Sequence, residues 1–359
     1  MSKRPLTYTF TGDLSSHDRC KRAWAYEKHI KFTPPEQVQA VFGNLYHSSL
    51  EWLAKSYRQH TLHGTPLPNS EDFRKVLLKF LRMLRAQGIS SKVTTDDQIA
   101  DIVLGKIYPT HTAGKPTTAM DPEFEKIISN AERTEVDLRA PVDLKKALPS
   151  WNPTTFRDHQ VLHLRGIVDV VRSVYDKLQY DYTWEWDSTG KDGQAVAKTT
   201  TSRKGELELW DYKATSFDPT QALHYVNQML TYAHIYERTH NVRPKRCILF
   251  FIGDHHPRRG KSSPRKFLVI EADDPKVNHA SFQRTLEQVE EIQGTINTFE
   301  ANPSSLKGGN VKDVLEKDVA EKQCIICMKR WDCKTFHDYN MKTAGKPSPY
   351  TDLMHLSTD

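Results

Sequence analysis

The chain has 359 residues, of which 37% are hydrophobic, 27% charged and 10% aromatic; this balance excludes collagen-like and wholly disordered classes and suits roughly two packed domains. Lys and Arg (51) exceed Asp and Glu (45) by six, which permits a polyanionic partner without requiring one. The longest apolar run, Cys247 to Ile252, is six residues, short of the roughly twenty a spanning helix needs, and the start from Pro5 to Thr11 lacks the apolar segment of a secretory signal, so the expected setting is intracellular with no membrane partner.

No repeat, heptad array or low-complexity tract interrupts the chain. In order, the patterns predict helices over 15–30, with Ser15 and Ser16 as candidate caps, and over 36–57, separated by Pro34-Pro35. Helical spacing continues through Phe73, Leu77, Leu78, Phe80, Leu81 and Leu84, and the polar stretch 88–131 reads as further helices and loops. From Glu135 the period changes to two, predicting strands over 135–141, 161–174 and 206–213. Between the last two, 175–204 reads as an insertion with one possible strand, 182–186, and a polar loop, 187–202. A helix over 219–238, strands over 246–252 and 267–271, and a helix over 277–299 complete an α/β pattern.

Alternation puts Leu209, Asp211 and Lys213 on one strand face, an anion beside an ammonium; such a pair can hold a hard cation and position or deprotonate a water. On the strand 161–174, Asp169 shares a face with His163, Arg165 and Ile167, and Gly166 permits close approach of backbone. Taken alone, each strand reads better as a solvated ion pair or a strand end, and the two acids matter only if further groups converge on them. Helix 36–57 adds a stripe of Ala40, Gly43, His47, Leu50 and Ala54, where Gly43 suggests close packing and Glu51 stands one turn from the imidazole. Helix 219–238 buries Ala222, Val226, Met229, Ala233 and Tyr236, and its flank carries Gln221, Tyr225, Gln228 and Tyr232.

Taken together, Phe42-Gly43-x-x-x-His47-x-x-Leu50-Glu51, Gly166-x-x-Asp169, Asp211-Tyr212-Lys213 and Gln228-x-x-x-Tyr232 resemble the successive motifs of the PD-(D/E)XK nuclease superfamily, RecB-like branch. The resemblance covers 15–56 and roughly 160–335. It implies a restriction-endonuclease-like α/β core, a mixed central sheet flanked by helices, that hydrolyses phosphodiester bonds of DNA with Mg²⁺ or Mn²⁺. It further implies metal binding by His47, Asp169, Asp211 and the carbonyl of Tyr212, a water-activating role for Lys213, and a site organised by Gln228 and Tyr232. Gln221 and Tyr225 match the last motif one heptad earlier; the reading takes the later pair.

Cys324-Ile-Ile-Cys327 and Cys333 lie near the end of the sequence, and Cys20 lies alone in the first helix. One cysteine plus three resembles the iron-sulfur members of this branch, AddB-type nuclease domains and CRISPR-adaptation exonucleases, and implies a [4Fe-4S] cluster held by Cys20, Cys324, Cys327 and Cys333 that joins the two ends. Zinc in the same four positions is the rival, and Cys247 reads as core. The expected organisation is then N-terminal helices at 1–58, a helical insertion lobe at 59–131, the nuclease core at 132–300, a cluster-binding segment at 301–335 and a tail at 336–359.

The turn 255–266 holds Arg258, Arg259, Lys261, Arg265 and Lys266 and no acid, a candidate DNA contact that reads equally as a solvated hairpin tip. Gly260-Lys261-Ser262 ends like a phosphate loop, but His255 stands where that loop needs Gly, so no ATPase motor is expected; GxSxG and HExxH are absent. The expectation is a DNA exonuclease of recombination, repair or processing, acting on single strands or duplex ends, with a possible helicase or recombination partner. The alternatives are a non-catalytic DNA-binding or assembly subunit of the same fold and a zinc-stabilised nuclease.

Overall fold

A computed structural model describes residues 6–21, 24, 25, 28, 38–89, 94–108, 119–175, 178–189, 192–254 and 267–301. The elements are β1 (Leu6–Thr9), a π-helical turn (Phe10–Ser15), α1 (Ser16–Arg19), α2 (Val38–His63), α3 (Ser70–Ala86), α4 (Asp96–Ile107), α5 (Pro122–Ser129), β2 (Arg133–Asp143), α6 (Leu144–Ala147), β3 (Val161–Ser173), β4 (Gln179–Trp186), β5 (Gly193–Thr201), β6 (Leu207–Lys213), α7 (Pro219–His240), β7 (Arg246–Phe251), β8 (Phe267–Glu271) and α8 (Pro275–Ala301). They form two units, one of Met1–Pro35, Val142–Leu162 and Leu286–Asp359, the other of Glu36–Pro141 and His163–Thr285. No helix of the described residues is long and apolar enough to cross a membrane.

In the larger unit the strands run in the order β3-β6-β7-β8-β4-β5, with β2 also paired to β3. The sheet is mixed: β3–β6, β7–β8 and β4–β5 are antiparallel, and β6–β7 and β4–β8 parallel. Its middle strand β7 is buried throughout, as a strand covered on both faces must be. One face joins the helices: Leu45 of α2, Phe73 of α3, Val103 of α4 and Phe124 of α5 share one apolar cluster with Trp210, Tyr212, Ile248 and Phe250. On the other face the Cys247 thiol meets the Met229 carbonyl of α7 and Phe251 packs on Tyr225. The result is a mixed sheet flanked by helices, and Cys247 is core as expected.

Local signals explain the helix starts. Asn69 caps α3 through two backbone amides, and Thr95 with Gln98 forms a capping box on α4. Two expectations change. The polar stretch 187–202 contains β5, an edge strand of Thr, Val and Lys paired to β4 along its length; its outward polarity gave no apolar alternation to read. In the smaller unit the expected helix 15–30 is broken at Cys20, which is extended (φ −164°, ψ 105°): α1 stops at Arg19 and helix resumes at Lys21, Trp24, Ala25 and Lys28, while Ser15 has helical torsions and no side-chain capping bond and Ser16 Oγ donates to the Thr11 carbonyl. Within this unit Tyr8 donates to Gln293 and His17 meets Thr295, tying β1 and α1 to the second half of α8.

Candidate active site

The larger unit gathers its charged groups where two strands part. The last paired residues of β3 and β6 are Val170 and Trp210; beyond them Asp169 and Asp211 fall on a common face. There the Asp169 side chain replaces the ladder: Oδ2 accepts the backbone N–H of Tyr212 at 2.5 Å. Its Oδ1 lies 2.8 Å from His47 Nδ1, delivered by α2. Helix, strand and neighbouring strand are distant in sequence, yet they meet at one carboxylate only 6% exposed.

A further acid joins them. Glu135 Oε1 stands 4.0 Å from His47 Nδ1, and one ligand atom each from His47, Glu135 and Asp169 falls within 4.8 Å of the others. Nothing in the sequence spacing singled out Glu135; it read as the outer end of a strand. Its backbone adopts φ 50°, a left-handed torsion that costs a non-glycine residue about 1–3 kcal/mol and turns the local alternation. The only sequence signal was an acid near the start of a strand paired to the one bearing Asp169.

Burial pushes the Glu135 carboxyl up to about 7, with the Asp169 charge adding to the effect. Burial opposes the imidazolium of His47, but Asp169, Asp211 and Glu135 outweigh it and raise its pKa to about 9. Three carboxylates around one imidazole therefore hold a positive charge. Hard oxygen donors with one imidazole suit Mg²⁺ or Mn²⁺, so the donor set fits such an ion.

Lys213 is ion-paired to Asp211 on the same strand face. Burial pushes the Asp211 carboxyl up; the Lys213 ammonium, though burial opposes it, is held charged by Asp211. Lys213 Nζ also donates to Gln228 Oε1 at 3.1 Å and lies 4.5 Å from the centre of the Tyr225 ring, while Gln228 Nε2 donates to the Tyr232 hydroxyl at 2.9 Å. The later pair, Gln228 and Tyr232, forms a hydrogen-bonded chain to the ammonium, and from the earlier pair Tyr225 caps it; the Gln221 side chain lies outside the described ones. A Cβ at Gly166 would collide with the Tyr232 ring, which is why that strand position is glycine.

Two expectations about α2 are corrected. Among the described residues nothing lies within 4 Å of a Cβ built at Gly43, so that glycine does not mark close packing. Glu51 does not orient His47; Lys55 holds it one turn onward, and Asp169 takes the imidazole. The Tyr212 backbone does take part, through its N–H on Asp169. Cys20 is partly buried beside α1, whereas Cys324, Cys327 and Cys333, with Arg258, Arg259, Lys261, Arg265 and Lys266, lie outside the described residues.

The comparison with known families agrees with this geometry. The model of the PD-(D/E)XK nuclease superfamily matches residues 12–183. That span is just under half the chain and contains His47, Glu135, Gly166 and Asp169; it ends before Asp211 and Lys213. No curated protein matches the chain.

Proposed function

We propose that the protein is a divalent-metal-dependent deoxyribonuclease that hydrolyses phosphodiester bonds. The carrying observation is the meeting of His47, Glu135 and Asp169 beside the Asp211–Lys213 pair, at the point where β3 leaves β6. His47, Asp169 and Asp211 would hold the ion, with Glu135 as a further ligand and the Tyr212 carbonyl available. The ion supplies Lewis-acid relief of charge at the scissile phosphate. His47 must give up its proton as the ion enters, because only the neutral ring can ligate.

Lys213 is held as an ammonium by Asp211, which favours positioning a water and offsetting phosphate charge over taking a proton. Gln228 fixes that ammonium through its amide oxygen, and Tyr232 fixes the amide in turn. We infer exonuclease action on single strands or duplex ends, in recombination, repair or processing, with 258–266 contacting the backbone and a helicase as a possible partner. A [4Fe-4S] cluster on Cys20, Cys324, Cys327 and Cys333 completes this reading as a structural element. Like-charge crowding at a half-open site argues against the alternative of a non-catalytic subunit, since a retired site has no physical need of it.

The test is incubation of linear, circular and end-blocked DNA of both strand types with Mg²⁺, Mn²⁺ or chelator, using wild type and Lys213→Ala. Cation-dependent loss of linear DNA by wild type alone is expected. Equal behaviour of the two proteins overturns the catalytic reading and leaves the DNA-binding one. Anaerobic purification decides the cysteine site: iron with acid-labile sulfide is expected, and stoichiometric zinc alone rejects the cluster.

A further inference from the structure

A second feature of the larger unit adjoins the site without being part of it. The far half of α2 and the start of β2 enclose a cavity of about 180 Å³ lined by Ala54, Lys55, Arg58, Glu132, Arg133 and Thr134 among others. Its floor is anchored to the catalytic strand, because the Glu132 N–H donates to the carbonyl of Val171, two residues along β3 from Asp169. Its wall runs directly into the ligand set, since Thr134 precedes Glu135.

The charge inside is not self-cancelling. Lys55 is paired to Glu51 outside the lining, and the Glu132 carboxylate, which accepts the Tyr175 hydroxyl, is the one acid set against Arg58 and Arg133. Among the described residues neither Arg58 nor Arg133 has an ion pair. Arg133 is nonetheless held: its Nη1 stands 3.2 Å from His240 Nε2, so one arm of the guanidinium is turned toward that ring and no acid among the described residues neutralises it. Two exposed arginines that line one depression offer charge and N–H donors to the oxygens of a phosphate.

We propose that this cavity binds a non-scissile phosphate of the nucleic-acid strand being cut. The inference rests on the nuclease reading and deepens it. Arg133 lies two residues from Glu135, roughly 7 Å at the rise of a strand. Arg58 lies eleven residues beyond His47, roughly 16 Å along the helix. The cavity is therefore roughly 7 to 16 Å from the cation site, about one or two phosphates along a strand. Seating one phosphate there fixes which phosphodiester reaches Asp169 and Asp211, so the cavity sets register. The phosphate is either a strand terminus or an internal diester, and the chemistry of recognition is shared.

The test compares wild type with Arg58→Ala/Arg133→Ala and Arg58→Lys/Arg133→Lys, each also in an Asp211→Ala background for binding. Probes are short fluorescent DNA strands bearing a 5′-phosphate, a 3′-phosphate or hydroxyls only, with anisotropy read over a salt series. The double alanine variant should bind about tenfold more weakly, with a salt slope lower by about 1, and the lysine variant should restore the slope but only part of the affinity. In turnover the alanine variant should raise KM, leave kcat within about twofold and shift the distribution of product lengths. Loss confined to one phosphorylated end assigns a terminus; equal loss on all probes assigns an internal diester. Unchanged affinity and slope overturn the phosphate site. Because binding is read without cleavage, failure of the nuclease reading appears separately, as wild type that binds DNA and does not cut it.

Discussion

Strands β3 and β6 each carry buried charge on both faces, and the two faces solve the burial problem differently. On one, Arg172 and Glu208 are directly opposite in register and both 0% exposed. The Glu208 carboxylate accepts Tyr180 Oη through both oxygens and Trp210 Nε1 at 3.0 Å, and the Arg172 guanidinium lies over the Trp210 ring 5.1 Å from its centre. Burial pushes the Glu208 carboxyl up and Arg172 draws it partly back: the two stand as an ion pair, Nε 3.6 Å from Oε2, although no guanidinium nitrogen of Arg172 has a hydrogen-bond partner among the described residues. On the other face, three acids meet one imidazole and one ammonium, and even with a proton on His47 the acids outnumber the cations. A buried charge therefore does not by itself mark a site. Like charges gathered where a ladder opens do, because they are stable together only with a cation.

The largest effects should separate these faces. Asp169→Ala, Asp211→Ala and Lys213→Ala should each lower cleavage by about 1,000-fold or more while the proteins stay folded, measured by initial rates beside far-UV melting. Glu208→Leu should do the reverse, costing about 3–5 kcal/mol of stability by leaving Arg172 buried and unpaired, with activity retained in the folded fraction. Adding Arg172→Met to it should restore most of the stability, since replacing a whole buried pair is often neutral. Stable Glu208→Leu, or unfolded Asp169→Ala, would erase the contrast.

Next in size is Gly166→Ala. Displacing Tyr232 should disturb Gln228 and hence Lys213, lowering kcat by about 10- to 100-fold with KM little changed, whereas Gly43→Ala, which meets nothing among the described residues, should leave kcat intact. Glu135→Gln should weaken Mg²⁺ affinity by about tenfold in calorimetric titration while sparing kcat at saturating cation more than Asp169→Ala does.

The smallest effect concerns pH. His234 stacks on Phe282, and burial, helped by Arg238 and Arg243, lowers its pKa to about 4. A histidine depressed in the folded state binds its proton more readily when unfolded. Stability is therefore complete above about pH 6.5 and lost as pH falls toward 4, by about 2 kcal/mol at pH 5. His234→Phe should flatten that part of a urea-melting series, and an unchanged acid slope would remove His234 as its cause.

Much of this was legible in the chain. Strand and helix periods located β3, β6, α7, β7 and β8 to within about two residues, because each buries an apolar stripe that repeats along it, while α2 runs six residues past its expected end at 57. His47, Asp169, Asp211, Lys213, Gln228 and Tyr232 were legible as a motif series, and the fold brings them together. Strand β5 escaped because an exposed edge needs no apolar alternation. Glu135 escaped because its role depends on a left-handed torsion and on the company of His47, neither of which leaves a period in the sequence.

By itself, then, the sequence determined the elements, the faces they bury and the residue types able to hold a hard cation, since these follow from local periodicity and side-chain chemistry. Only the tertiary structure decided that Asp169 replaces a lost strand pairing, that Lys213 stays an ammonium, that Glu135 stands beside His47 and Asp169 and that Arg58 and Arg133 share a cavity. The reason is that spacing along a chain fixes direction within one element, whereas pKa, ligation and cavity shape depend on distances between elements.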